Sequence, residues 1–360
     1  MIVKKALLLL LAVPLIVGAL YLCPRASWYP KKVFYGRGEI RHLVFSDDGK
    51  TLLVSQVNTR AAFGAMELTA LNFAPEFTTK WNFNDGAEVG KPQFFLHDSR
   101  ILVDRGTLRT LDGATGEALQ NGGTLRKAAI SPDGKWLAYS GAYPSDMGCL
   151  MPATISHKDI FLESPTGPTG AVLKTIPPGQ SIPIGFSFSP NSRNLVVARI
   201  QREGIGLDFY DVKTWKRDRR LLDFRGQGPG SMQWSRNGRF LLSTCYFHDS
   251  QGAQANVNLW SVSDAKRLSS LIVPCVKETG PFYISDRIIV PYFEVQDDGR
   301  VLRFGIDEQV LLSKTTNLEA GFESLLSLPS ERITAATLSP DDSYLVAGTK
   351  SGRVVSKRMK

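Results

Sequence analysis

Ile130-Ser-Pro-Asp-Gly-Lys-Trp-Leu-Ala-Tyr-Ser140 decides the fold. A short strand leads into a Ser-Pro-Asp-Gly turn, and a second strand leaves it. Pro132 supplies a φ near −65°, Ser131 and Asp133 bond their own backbone, and Gly134 tolerates the exit geometry. The same pattern recurs at Phe45-Ser-Asp-Asp-Gly-Lys-Thr-Leu-Leu-Val54, Phe188-Ser-Pro-Asn-Ser-Arg-Asn-Leu-Val-Val197, Trp234-Ser-Arg-Asn-Gly-Arg-Phe-Leu-Leu242 and Leu338-Ser-Pro-Asp-Asp-Ser-Tyr-Leu-Val346. After each turn the apolar residues run continuously (Trp136 to Tyr139, Leu195 to Ala198, Phe240 to Leu242, Tyr344 to Ala347). A strand with one wet face alternates, whereas one covered on both faces does not. Each repeat therefore belongs to a small sheet with another layer on either side.

Seven such units fit end to end, with first-turn positions near Ser46, Leu96, Ser131, Ser189, Ser235, Ser285 and Ser339. Their mean spacing is about 49 residues, a length suited to four-stranded propeller blades. The second unit (Phe94 to Val103) and the sixth (Tyr283 to Val290) have degenerate turns. Each unit continues into two more strand-like runs, most compactly Thr107–Asp112, the turn Gly113-Ala-Thr-Gly116, and Glu117–Gln120. The last unit ends after Arg353–Met359 without a fourth strand, while Lys32-Val-Phe-Tyr-Gly36 precedes the first unit with no partner. Pairing the two would close the ring and remove exposed edges. The expected fold is all-β: a seven-bladed β-propeller of four-stranded blades over residues 32–360, closed by the N-terminal strand and preceded by one hydrophobic helix.

The Ser-Pro-Asp-Gly-Lys-x-Leu repeats resemble the WD40-like propellers of bacteria, the TolB type among them, over nearly everything from Lys32 onward. There is no Gly-His pair, and the Trp-Asp ending survives only as Trp260-Ser261, Tyr210-Asp211 and Leu111-Asp112. The resemblance implies a binding platform, with the ligand unspecified.

Lys4 and Lys5 precede an uncharged apolar run from Ala6 to Cys23, marginal for a span and long for a signal-peptide core. Residues 1–23 are read as a signal anchor or a cleaved signal peptide, and 24–31 as a linker reaching about 28 Å when extended. Basic residues flank both ends of the run, so charge leaves its orientation open. The layout is that of an exported chain: single-pass in the inner membrane with its bulk periplasmic, or secreted to the periplasm.

Strand alternation sorts the connections onto two faces. First-to-second and third-to-fourth turns share one face with the N-terminal tether. That face carries the membrane-surface candidates Lys213, Lys216, Arg217, Arg219, Arg220, Lys357 and Arg358, beside the turn cations Lys50, Lys135, Arg193 and Arg239. The net charge of +9 suits an anionic surface. No basic groove interleaved with aromatics points to nucleic acid. The opposite face collects the longest loops, Gly141–Lys158, Gly226–Gly230 and His248–Ala255. The first of these supplies the partner-binding candidates Tyr143, Met147, Met151 and His157.

No catalytic, cofactor or metal constellation stands out. The four histidines lack ligand spacing, and neither a phosphate loop nor Gly-x-Ser-x-Gly occurs. None of the four cysteines forms a Cys-x-x-Cys pair. Cys245 and Cys275 fall on the second and fourth strands of one unit, about 9.6 Å apart, beyond disulfide reach unless a loop bends inward or Cys149 approaches. Leu111-Asp-Gly-Ala-Thr-Gly-Glu117 resembles the docking repeat of quinone-dependent dehydrogenase propellers, but in one copy and with Leu119 near the tryptophan position. The expected function is a monomeric, non-catalytic, membrane-tethered platform for a protein partner. The alternative is a propeller enzyme or a small-molecule or carbohydrate-binding module.

Overall fold

The computed structural model describes residues 32–359 except 37, 58–65, 74–76, 85–91, 95–99, 105–106, 125–126, 141–159, 164–171, 177–182, 202–203, 224–230, 251, 279–286, 290–291 and 305–307. The described chain is all-β and forms seven four-stranded antiparallel sheets. In chain order the first holds Ile40–Phe45, Thr51–Val57, Met66–Asn72 and Thr78–Asn84, and the second Gln93–Phe94, Arg100–Asp104, Thr107–Asp112 and Ala118–Thr124. The third comprises Lys127–Ile130, Leu137–Ser140, Ile160–Glu163 and Val172–Ile176. Pro183–Phe188, Asn194–Gln201, Gly204–Asp211 and Arg217–Asp223 make the fourth, and Met232–Trp234, Phe240–Asp249, Gly252–Ser261 and Lys266–Pro274 the fifth. The sixth is Tyr292–Val295, Val301–Phe304, Gln309–Ser313 and Phe322–Ser327.

The seventh sheet joins the two ends of the described chain. Ile333–Leu338, Tyr344–Thr349 and Arg353–Arg358 supply three strands, and Lys32–Tyr35 is the fourth. It pairs antiparallel with Arg353–Arg358, Lys32 opposite Ser356 and Tyr35 opposite Arg353. The Gly36 amide extends the ladder to the Gly352 carbonyl at 2.7 Å.

Period-two alternation explains the continuous apolar runs. Leu345 and Ala347 pack with the sixth sheet (Leu302, Leu312, Leu326), while Val346 between them packs with Ile40, Leu52 and Val54 of the first. Leu195 and Val197 face Ala129 and Ala138 of the third sheet, and Val196 and Ala198 face Leu241 and Trp260 of the fifth. Phe240 and Leu242 turn toward Phe293, Val295 and Val301 of the sixth. Leu53 meets Ile101, Val103 and Leu111 of the second. Six apolar clusters thus link the sheets in the order third, fourth, fifth, sixth, seventh, first, second. Where the seventh and first meet, a Cβ on Gly348 would lie 2.4 Å from Ile40 Cγ2, so only glycine admits this approach.

Two expectations need correction. The sixth sheet does not begin in the Tyr283–Val290 stretch. Val276–Glu278 and Arg287–Ile289 form a separate two-stranded hairpin there, and the sheet's first turn is Gln296-Asp-Asp-Gly-Arg300. His248–Ala255 is not a long loop, because the ladder between two ten-residue strands runs on to Asp249 opposite Gly252. No disulfide joins Cys245 to Cys275, as their strand positions imply. Cys245 is buried toward the fourth sheet and Cys275 packs toward the sixth, so opposite faces of one sheet keep them apart. The 1–31 segment, Leu96, Cys149 and Ser285 lie outside the described residues. No helix among the described residues is long and apolar enough to cross a membrane.

Candidate functional site

The turns between first and second strands share one hydrogen-bonded design. Ser46, Ser131 and Ser339 donate to Asp48 (2.6 Å), Asp133 (2.7 Å) and Asp341 (2.6 Å). Ser189 and Ser235 donate to Asn191 and Asn237, both at 2.8 Å. Each serine oxygen also accepts the N–H five residues on, from Thr51, Trp136, Asn194, Phe240 and Tyr344. The carboxylate or amide oxygen accepts the N–H two residues beyond itself, that of Lys50, Lys135, Arg193, Arg239 or Ser343. The residue between has positive φ: Gly49, Gly134, Ser192, Gly238 and Asp342, at 54–71°. Gln296–Arg300 keeps this frame with Asp298, Gly299 and Arg300 but lacks the serine. The geometry turns the residue after the positive-φ position outward. It is a cation in five of the six turns, and Lys50, Lys135, Arg193 and Arg239 are exposed.

Hydroxyl and amide donors favour the ionised acid at these turns. The Ser46 hydroxyl and the Lys50 amide hold Asp48 below the usual carboxylate range. The Ser339 and Ser343 hydroxyls, with the Ser343 amide, bring Asp341 down to about 2.

A second turn design joins third and fourth strands. Asp112 Oδ1 accepts the N–H groups of Ala114 and Thr115 at 2.8 Å, and Asp211 Oδ1 accepts the Thr214 N–H and hydroxyl at 2.7 and 2.8 Å. Gly116 and Trp215 take the positive-φ position, as Ala265 does in the fifth sheet. The docking-like turn at Asp112 therefore has a counterpart in the fourth sheet. Its tryptophan comes from the neighbouring sheet, not from the position of Leu119. Trp81 Nε1–H donates to the Gly113 carbonyl at 3.0 Å and its ring lies against Gly116.

Contacts between sheets put the first turns at a common end. The Asp133 amide donates to Ser192 Oγ at 2.9 Å, and the Asn237 amide and side chain bond to Asp297 at 2.7 and 2.8 Å. Pro190 lies beside Gly238, and Pro340 beside Gly49. The third through sixth sheets are tied together in this way, as are the seventh and first, and strand alternation brings the Lys213, Lys216 and Lys266 turns to the same end. The Lys32–Tyr35 strand begins there too, beside Ser356.

The seven membrane-surface candidates divide. Lys213, Lys216, Arg217, Arg220 and Arg358 are exposed and Arg219 and Lys357 less so, and Arg219, Arg220 and Lys357 are engaged by protein groups. Arg219 lies over the Phe209 ring with its Cζ 5.4 Å from the centroid, pairs with Asp218 at 2.9 Å, and donates to the Val262 carbonyl of the fifth sheet. Arg220 bonds both oxygens of Asp208, which raises the guanidinium pKa. Lys357 Nζ reaches the Leu325 carbonyl at 2.6 Å. The partner-binding candidates Tyr143, Met147, Met151 and His157 lie outside the described residues.

Sequence reasoning missed Arg199, Asp208 and Arg236. Arg199 and Asp208 side chains are each 1% exposed, with Nε 3.5 Å from Oδ2, and Arg217 stands 3.9 Å from the same carboxylate. The available signal was a charge closing an otherwise apolar run, Leu195-Val-Val-Ala-Arg199. Among the described residues no group of three or more His, Cys, Asp or Glu side chains is placed to hold a metal. Comparison with known proteins finds no protein-family model that matches the chain and no curated protein that matches it.

Proposed function

We propose that the seven sheets are blades of a WD40-like β-propeller, and that the chain is a membrane-tethered, extracytoplasmic, non-catalytic platform for a protein partner. The observation that carries this reading is the order of the six apolar clusters. They join sheets that are consecutive in the chain, from the third through the seventh to the first and second, which leaves one junction to complete a ring. Contacts of first strands support it. Those of the third and fourth, fourth and fifth, fifth and sixth, and seventh and first sheets lie against one another, as strands around a hub must.

Sheets sandwiched on both faces leave their ends for recognition. The described strand Leu137–Ser140 runs from the repeated turn to the opposite end, and Tyr143, Met147, Met151 and His157, which follow it in sequence, are the proposed partner contacts. The apolar 6–23 run would hold the chain in the inner membrane, with the sheets on the periplasmic side.

Negative-stain class averages of the purified chain test the architecture: a ring of seven blades is expected, and an open arc or a two-layer sandwich refutes it. A photo-crosslinking residue at Tyr143 or Met147, irradiated on intact membranes, tests the function. One discrete adduct, absent when the same residue replaces Lys50, exposed at the repeated-turn end, or when His157 and Met151 become alanine, is expected. Identical labelling at all sites counts against a partner surface there.

A further inference from the structure

We infer that the third-to-fourth turns of the fourth and fifth sheets, with Arg239 of the fifth sheet's first turn, form a basic crescent that rests on anionic lipid headgroups. This deepens the tethered reading above and rests on it. Lys213, Lys216 and Arg217 project from the fourth sheet, and Arg239, Lys266 and Arg267 from the fifth; all six are exposed.

The two turns are held at a fixed spacing. Arg219 is committed to the protein, its Nη1 donating to the Val262 carbonyl across the sheet boundary and its plane lying on Phe209. Trp215, at the tip of the fourth sheet's third-to-fourth turn, is buried against Trp136 at 4.9 Å between ring centroids. The three interspersed carboxylates are engaged. Asp211 accepts from Thr214, Asp264 from Ser261 and Ser263, and Asp218 from Arg219. Six outward cations therefore face solvent over acids that are hydrogen-bonded within the turns.

Position selects the partner. These turns lie at the end where Lys32 starts its strand beside Ser356, and in sequence only residues 24–31 separate that strand from the apolar 6–23 run. A polybasic surface within about 8–10 Å of an anionic bilayer is attracted, and the attraction fades beyond one Debye length. Nucleic acid fits less well. The aromatics of the patch, Trp215 and Phe240, are buried under the cations and offer no ring for a base to stack on.

The test uses the full chain reconstituted into nanodiscs of phosphatidylcholine alone or mixed with phosphatidylglycerol. Amine acylation is followed by mass spectrometry. Acylation of Lys213, Lys216 and Lys266 is expected to slow about threefold or more in the anionic discs, to recover at high salt, and to leave Lys350, exposed at the opposite end, unchanged. In a Lys213→Glu/Lys266→Glu variant the lipid effect at Lys216 should disappear. Equal rates in both discs overturn the inference while the tether stands. Protection by an oligonucleotide without protection by anionic lipid overturns it as well. If the chain enters neither disc, the tethered reading falls. The same footprint with added anionic vesicles then decides the crescent: slowed acylation upholds it, and unchanged rates end it.

Discussion

Arg236 donates from Nη1 to the Pro340 carbonyl at 2.7 Å and from Nη2 to the Leu338 carbonyl at 2.9 Å, although the whole sixth sheet intervenes between their sheets in the chain. The guanidinium spans from the fifth sheet's first turn to the seventh's, passing the sixth sheet's turn, which Asn237 already binds. Two carbonyls at that separation suit a planar fork and not a point charge. Arg236 and Asn237 together thus fix the turns of three sheets relative to one another.

Arg236→Ala should cost about 1–2 kcal/mol, the worth of a charge-assisted pair that is partly solvated. Arg236→Lys should recover less than half of that loss. Urea unfolding of the three proteins measures both. The carboxyl of Asp342, 3.4 Å from Nη1, gives a second readout. Burial raises its pKa, Arg236 opposes the rise, and Asp297, Asp298 and Asp341 add to it. Removing the cation should move the Asp342 titration further up, as followed by carboxyl NMR; a downward shift would contradict the arrangement.

The buried carboxylate of Asp208 serves three arginines, of which Arg199 has no route to water. Asp208→Ala leaves that guanidinium enclosed without its counter-ion, and the expected cost is about 3–5 kcal/mol. Arg220 and Arg217 reach solvent and add little to the penalty. Replacing the enclosed pair together, Arg199→Met with Asp208→Leu, should return most of the stability, because apolar groups of similar volume match a desolvated ion pair. Chemical denaturation of single and double variants gives the comparison. A double variant as weak as Asp208→Ala would show that the pair supports the fourth sheet in some way other than charge neutralisation.

Much of this was legible in sequence because the first-turn design is local. Ser131, Asp133 and Gly134 act within six residues, so their pattern survives in the text of the chain. The apolar run Leu345-Val-Ala347 was equally readable, since alternate residues feed two different cores. The sixth unit was misread. Gln296 replaces the turn serine, while Ser285-Asp-Arg-Ile-Ile-Val290 imitates a turn followed by an apolar strand. Asp298, Gly299 and Arg300 carried the better signal, with the acid, positive-φ residue and cation in their usual order. Arg236 and Asp208 were illegible for another reason. Their partners lie on other strands or other sheets, and only register and packing bring them together.

Asp341 links the turn design to pH. Its folded pKa is about 2 against an ordinary 3.8, held down by the Ser339 and Ser343 hydroxyls. A depressed carboxyl stabilises the folded state above its unfolded pKa, and that contribution is lost as pH falls from about 4 through about 2. Ser343→Ala removes the 2.7 Å bond to Oδ2 while leaving the core untouched. The variant should melt below the parent at pH 6, and the difference should shrink as pH falls from about 4 through about 2, as the carboxyl becomes protonated. Thermal melts across that range measure it, and a gap that stays constant over the whole range would assign the loss to something other than Asp341.

Lys32–Tyr35 completes the seventh sheet with only four residues, so its hold depends on the ladder to Arg353–Arg358 and on Phe34, half-buried against the cluster around Ile40 and Val354. Phe34→Ala should cost about 1–3 kcal/mol, the scale of a large side chain partly removed from water. Deleting residues 1–36 exposes the Arg353–Arg358 edge, and an unpaired edge invites association. The amides of that strand that face Lys32–Tyr35 should then exchange far faster, while those facing Tyr344–Thr349 stay protected, because that ladder is intact. Hydrogen exchange resolved by residue separates the two sets. Uniform exchange across Arg353–Arg358 in both proteins would mean that the N-terminal strand contributes no protection and that the seventh sheet stands on three strands alone.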